Sequence, residues 1–534
     1  MKNIFFILFC ALWMSGQAHA VDLDKLRQAV PLPRMASKFE FLVVNETNAP
    51  QDETQTRDQI AALKAAPVTA ERLMRLSRLY SQIRDDAHAK EANARALPLL
   101  RRALAAHPAD AALMVQLGQA LRDATQLDEA GTVLRRAVQV APRIANAWVS
   151  LGEVLSANAI MVVLPVGDGF EFRSGTIPSV DGLSAKLLDS RPSPKAIARA
   201  EALLDEASAS YERAVQIAPS DPNVYGQRIA SRSRAAFLEN LLKSLRANKA
   251  ATLRMAVGDG AQEMMRATLF SPRTANDLQA IARLKPNDVS ANGAATFSTL
   301  LVFATRNHRE IPLKGGLQSL PAPVAAQVRP AIGRLEEMAA RRGKDQAKAL
   351  EALGELHYIL GDPSVADTLK RAVALDPTRV QAWELMALIL SEGERYEELA
   401  TLVEARLQQQ NTARNHLLLA RAYDRLNRRQ DVQGQVEAAL RLEPNDPTAN
   451  LAGAALLLRA GDLPDANQQL ERVGKLITAH GKPSRNQMLD YVLFHGVLLA
   501  LDGQTEAARQ QLESVLASDA QNEGAQKALA ALSP

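Results

Sequence analysis

Cysteine is almost missing from this chain of 534 residues: there is one, Cys10. It falls in the first twenty residues, which carry the marks of a removable leader, so the mature chain is expected to hold no thiol. That excludes disulfides, thiolate catalysis and cysteine-based metal sites. Aromatics make up only 4%, which counts against a groove that stacks sugar rings. Basic and acidic residues nearly balance, 63 against 59. They form no dense Lys/Arg tract, so no nucleic-acid partner is expected. The histidines beyond the leader (His88, His107, His308, His357, His416, His480 and His495) do not pair with one another or with acids at a metal-ligand spacing. Gly167–Gly169 and Gly258–Gly260 are Gly-Asp-Gly turns without the Gly-Lys-Ser ending of a phosphate loop. No catalytic residue, metal ligand or cofactor is therefore expected.

The leader reads from three parts. Lys2 supplies positive charge, Ile4 to Met14 form an apolar run, and Ala18-His19-Ala20 places small residues at −3 and −1. This predicts a signal peptide cleaved before Val21, since the run is well short of the roughly twenty residues a membrane span needs. Phe9 stands before Cys10 where a lipidation site wants a small residue. Cleavage removes Lys2 from the 63 basic residues against 59 acidic ones, leaving a net charge near +3. The expected destination is the bacterial periplasm, with no transmembrane segment after cleavage.

What the chain has in abundance is Ala, Leu, Arg, Gln and Glu, a helical composition. They recur on a ruler of about thirty-four residues. In the clearest window Leu117-Gly118 and Leu121 are followed by Ala130, Leu134, Ala137 and Pro142. The next opens on Trp148, Leu151-Gly152 and Leu155. Gly118 and Ala130 are expected where two helices of a hairpin come closest, because axes approach to about 8–10 Å only over small residues. A mid-helix Gly costs roughly 1 kcal/mol against Ala, so it needs such a packing reason. Pro142 ends the second helix. Leu117, Leu121, Leu134 and Ala137 are read as core.

These windows resemble the tetratricopeptide repeat family, whose pattern is W-x2-L-G-x2-Y…A-x3-F…P. About eight copies occur, over roughly 69–220 and 346–520. The resemblance implies an all-α fold, a right-handed superhelical solenoid of helix-turn-helix hairpins, of an exported bacterial type. It implies a protein or peptide partner held on the concave face lined by first helices, and no enzymatic activity. Carried onto this chain, the groove positions are Gln119, Arg122, Asp123, Asn146 and Glu153 in the N-terminal half. In the C-terminal half they are Gln381, Glu384, Arg414, Arg421, Asp424 and Arg425. Arg414, Arg421 and Arg425 around Asp424 predict an exposed cluster that would engage an acidic peptide, and Arg122→Ala is expected to be nearly neutral. The leading expectation is a scaffold for protein–protein interaction in an envelope assembly, secretion or maturation system. The alternatives are a soluble periplasmic accessory to polysaccharide export and an enzyme with its site in the irregular segments.

Along the chain this gives a signal peptide over 1–20, an arm or linker over 21–68 and an N-terminal array over 69–220. Degenerate helical repeats over 221–344 precede a C-terminal array over 345–534. The first hairpin is seven residues longer inside than the standard spacing, two helical turns that keep both faces in phase. Within the arm, Phe39 to Val44 reads as strand-like and Thr56 to Ala65 as a short helix. The hairpin opened by Trp148 carries an insertion at about 158–199. There Ile160 to Val166 and Phe170-Glu-Phe172, around Gly167–Gly169, predict a small strand-turn-strand segment. Between 221 and 344, helices are expected near 223–247, 260–270, 274–284, 289–306 and 323–342, with an irregular loop at Ile311 to Pro323.

Overall fold

The protein, a computed structural model, is described over residues 23–31, 53–163, 192–246, 271–479 and 485–532. Among these there is no strand. They form two compact units, one of residues 53–379 and one joining Leu23–Pro31 to residues 380–532.

Helix α1 spans Leu23–Ala29 and belongs with the C-terminal unit. The central unit begins with α2 (Glu53–Ala65). Three hairpins follow: α3 (Ala70–Gln82) with α4 (Asp86–Ala106), α5 (Ala111–Asp123) with α6 (Leu127–Val140), and α7 (Ala145–Val163) with α8 (Pro194–Ile217). Then come α9 (Pro222–Arg246), α10 (Pro272–Leu284), α11 (Val289–Arg306) and α12 (Ala322–Ala340). The hairpin of α13 (Gln346–Leu360) and α14 (Val365–Leu375) closes this unit. The C-terminal unit stacks α15 (Val380–Glu392) with α16 (Tyr396–Leu407), and α17 (Ala413–Arg425) with α18 (Arg429–Leu442). It continues with α19 (Pro447–Ala460) and α20 (Leu463–Ala479), then α21 (Arg485–Leu501) and α22 (Thr505–Ser518). The single helix α23 (Glu523–Leu532) follows them.

Several hairpins share the same local chemistry. Asp110, Asp288, Thr412 and Asp446 accept backbone N–H groups at the starts of α5, α11, α17 and α19, satisfying donors the helix leaves open. The turn between the paired helices puts one residue at positive φ: Arg84, Thr125, Gly361, Glu394, Asn427, Gly461 or Gly503. At Gly118 there is no room for a side chain, because a Cβ there would overlap Leu134 of α6. Gly152 meets Tyr211 of α8 in the same way, with Cε2 2.6 Å from where its Cβ would stand, and Gly354 meets Leu369 of α14. The small residue expected at the closest approach is thus required there. Leu117, Leu121, Leu134 and Ala137 are buried as core.

The insertion differs from its reading. Ile160 to Val163 are helical, because α7 runs on to Val163, and Ile160 and Val163 are buried against the hairpin core. Packing outweighs their β-branched preference, a weaker term than burial. The two helices absorb part of the insertion by lengthening, to 19 residues in α7 and 24 in α8 against 13 and 14 in the preceding pair. The remainder of the expected strand-turn-strand lies outside the described residues, as do Phe39 to Val44 and the helix expected at 260–270. Helix α7 is long and apolar enough to cross a membrane, but its apolar length lines the core between α6, α8 and α9.

Helices α9 to α12 stand close to where the blurred ruler places them. Arg228 and Arg232 of α9 both bind Asp277 of α10, at 3.0 and 2.7 Å, and both also bind Glu212 of α8. The Asp277 side chain is only 4% exposed, so the two guanidiniums offset the cost of burying its charge. Between α11 and α12, Leu313 N donates to Ile359 O at 2.7 Å, tying the expected irregular loop to the end of α13.

Candidate functional site

First helices of successive hairpins lie side by side in each unit, and the groove residues expected from the repeat phase sit on them. In the central unit Gln119 donates to Ser150 Oγ at 2.9 Å and accepts from Arg78 Nη2 at 2.7 Å, linking α3, α5 and α7. Arg122 pairs with Glu153 and also with Asp123 at 2.9 Å. Asn146 is exposed and joins none of these contacts. Four of the five N-terminal positions therefore enter two neighbouring sets of contacts, Arg78–Gln119–Ser150 and Asp123–Arg122–Glu153. Arg122 is half-buried and holds two carboxylates, so the expectation that its loss is nearly neutral is replaced. Removal leaves the Glu153 carboxylate without its cation, a change of about 1–3 kcal/mol.

The C-terminal positions behave alike. Arg414 binds the buried Glu384 at 2.6 Å, Arg421 donates to Ser391 Oγ at 3.2 Å, and Arg425 reaches Glu394 at 3.5 Å while lying over the Tyr396 ring. Asp424 is not an exposed member of the cluster. Its side chain is 7% exposed and holds Arg459 of α19 at 2.9 Å. Burial, helped by neighbouring Arg425 and Arg459, lowers the Arg421 guanidinium from its ordinary value. Gln381 is half-buried at the start of α15. In both units most of the pairs between hairpins sit 30 to 35 residues apart, about one repeat. Charges of both signs on these first helices thus form lateral pairs between adjacent hairpins. Opposite charges at a spacing of one repeat are the signal that reveals them.

Between the first helices of the C-terminal unit lies a cavity of about 720 Å³. Its apolar walls include Leu388, Leu417, Leu418, Leu451, Ala455 and Phe494. Its polar lining is acidic: Glu384, Glu443, Asp446, Asp490, Asp519 and Glu523 against Arg414 and Arg421. Arg414 already serves Glu384. An acidic peptide, the ligand expected from the arginines alone, would meet like charge here. The lining suits an apolar segment with basic flanks.

Helix α1, inside the segment read as an arm or linker, is seated at one end of this face. It packs on α19, α21 and α23 with Leu26, Ala29 and Val30 buried. Arg459 Nη1 donates to Val30 O at 3.1 Å, so the Asp424–Arg459 pair aims a donor at the end of α1. A Cβ at Gly461 would stand 2.9 Å from Arg27 Nη2, and one at Gly524 would stand 3.0 Å from Ala29 O. Gly524 leaves room that the α1 backbone fills, while Gly461 is already held in the left-handed conformation of its hairpin turn. Pro31, just beyond, lines the cavity. The spacing Leu23, Leu26, Ala29-Val30 is an amphipathic pattern that points to this helix, though not to its seat. Among the described residues no group of three or more His, Cys, Asp or Glu is placed to hold a metal ion.

No protein-family model matches the sequence, and no curated protein does. Solved structures do. Yeast Tom70 is 12% identical, covering 90% of this chain and 92% of that one, with a TM-score of 0.34. The APC/C hetero-tetramer Cut9–Hcn1 is 11% identical, with coverages of 90% and 92% and a TM-score of 0.30. The human IFIT1 dimer with PPP-AAAA is 12% identical, with coverages of 95% and 89% and a TM-score of 0.29. Values this low carry no residue and no ligand across. The fold rests on the hairpins themselves, an array of tetratricopeptide-type helix-turn-helix units.

Proposed function

We propose that this protein is a non-enzymatic scaffold whose C-terminal array holds a polypeptide segment along the first-helix face, in an envelope assembly, secretion or maturation system. The observation that carries the binding half is the cavity of about 720 Å³, apolar in its walls and acidic in its polar lining. A pocket of this size takes a few side chains of a peptide or protein surface. Its cations are committed to neighbouring hairpins, so attraction falls to basic groups on the partner. The export half rests on the leader-like first twenty residues.

The test is capture from an envelope extract by the full-length chain and by a Leu417→Asp, Leu418→Asp variant. Both leucines line the cavity and are only partly buried, so helicity by circular dichroism should be unchanged. Capture should drop at least tenfold in the variant, and added salt should weaken the wild-type complex. Equal capture by a folded variant would move the binding surface off this face. Charge reversal at Arg421 and Arg425 is a poorer test, because both side chains already contact the preceding hairpin.

A further inference from the structure

We propose that α1 is a tethered ligand, and that the surface beneath it is a site for a short amphipathic helix of the same chemistry supplied by the partner. This rests on the reading of the C-terminal array as a peptide holder and adds what it holds and what regulates it. Four observations converge. The seat is close-packed, because a Cβ at Gly524 would stand 3.0 Å from the Ala29 carbonyl. Arg459, fixed by Asp424, gives its donor to a backbone carbonyl, Val30 O, a contact any helical peptide ending there can make. Leu26 in α1 and Val30 just past its end are both 0% exposed, with Ala29 between them at 3%. The seat also runs into the open cavity, with Pro31 on its wall, so a longer incoming segment meets α1 end to end.

The ligand class follows from α1 itself: a larger apolar residue, a basic residue next to it, a small residue at i+3 and a second apolar residue at i+4. These are Leu26, Arg27, Ala29 and Val30. Only two large apolar side chains hold nine ordered residues in place, so the gain from burial is small beside the entropy lost. Tethering makes up part of the difference by raising the local concentration of α1. A free peptide has to compete with that tethered copy, so the site is masked until a partner segment displaces it.

A fluorophore-labelled peptide of residues 21–31 is the probe, titrated by anisotropy into the full-length chain, a Leu26→Asp variant and a Leu26→Asp, Arg459→Ala variant. Leu26→Asp lifts α1 off its seat and leaves the seat intact. It should bind the probe at least tenfold more tightly than wild type, and Arg459→Ala should remove most of that gain. A deletion of residues 21–31 should reproduce the Leu26→Asp result. Equal binding by wild type and both unmasked variants, or none by any of them, overturns the proposal. Partner capture by the wild-type chain that is lost in Leu417→Asp, Leu418→Asp leaves the scaffold reading standing in either case, so the two failures are separable.

Discussion

Tyr211 shows how much one residue of the repeat is asked to do. It fills the space over Gly152, and burial pushes its phenol up to about 12. The neutral form is favoured in the folded chain while the unfolded chain ionises near 10, so its contribution is complete below pH 10 and is lost as pH rises toward 12. Thermal melting followed from pH 8 to pH 11 should show a steeper fall for wild type than for Tyr211→Phe. Identical pH profiles would mean the phenol is not the buried acid described. Tyr423, raised to about 12 by burial and by its bond to Glu404, keeps part of the wild-type loss in that variant. The glycine was legible in the sequence as a close-approach position. Its aromatic partner stands 59 residues on, across the insertion, because repeat phase survives the lengthened pair of helices.

At the scale of the element, the left-handed residue in the described hairpin turns is the instructive feature. Gly361, Gly461 and Gly503 adopt it freely and Asn427 readily, but Thr125 is β-branched and sits at φ 60°. Thr125→Gly should raise stability by about 1 kcal/mol, read as a higher urea midpoint with an unchanged slope; a lowered midpoint would show that the Thr125 hydroxyl bond to Ala124 O matters more than the strain. Most helices of this chain could be placed from sequence because caps, apolar period and turn agree locally. Ile160 to Val163 could not, since a β-branched run reads as strand until its neighbours are known. Repeat phase puts the expected groove residues on first helices, but it does not give their contacts. Arg421, Asp424 and Arg425 read as one patch along a helix, whereas their partners lie one repeat away in the chain. Seeing that Asp424 positions Arg459 requires knowing that α1 returns to this face from more than 400 residues upstream.

For the whole molecule, the division into two compact units predicts two cooperative blocks. Calorimetry of the full-length chain should resolve two transitions. Leu134→Ala, in the central unit, should lower only one of them, at a cost of about 2–5 kcal/mol for a fully buried leucine. Because each hairpin is stabilised by its neighbours, the other transition should hold within error. A single transition that moves as a whole would show the two units unfolding as one.

The one-repeat charge ladder also bears on how such an array can change over time. Repeat proteins are usually regarded as modular, lengthened or shortened by whole units. Here, excising α17 and α18 would take away Arg414, Arg421 and Arg425 together, and with them the mates of Glu384, Ser391 and Glu394. It would also strip Arg459 of Asp424, and so unaim the donor that meets Val30. Hairpins here carry an address for the hairpin on either side. The order of units is written into their side chains, and a shuffled copy of this array would be the same parts in a sequence that no longer matches itself.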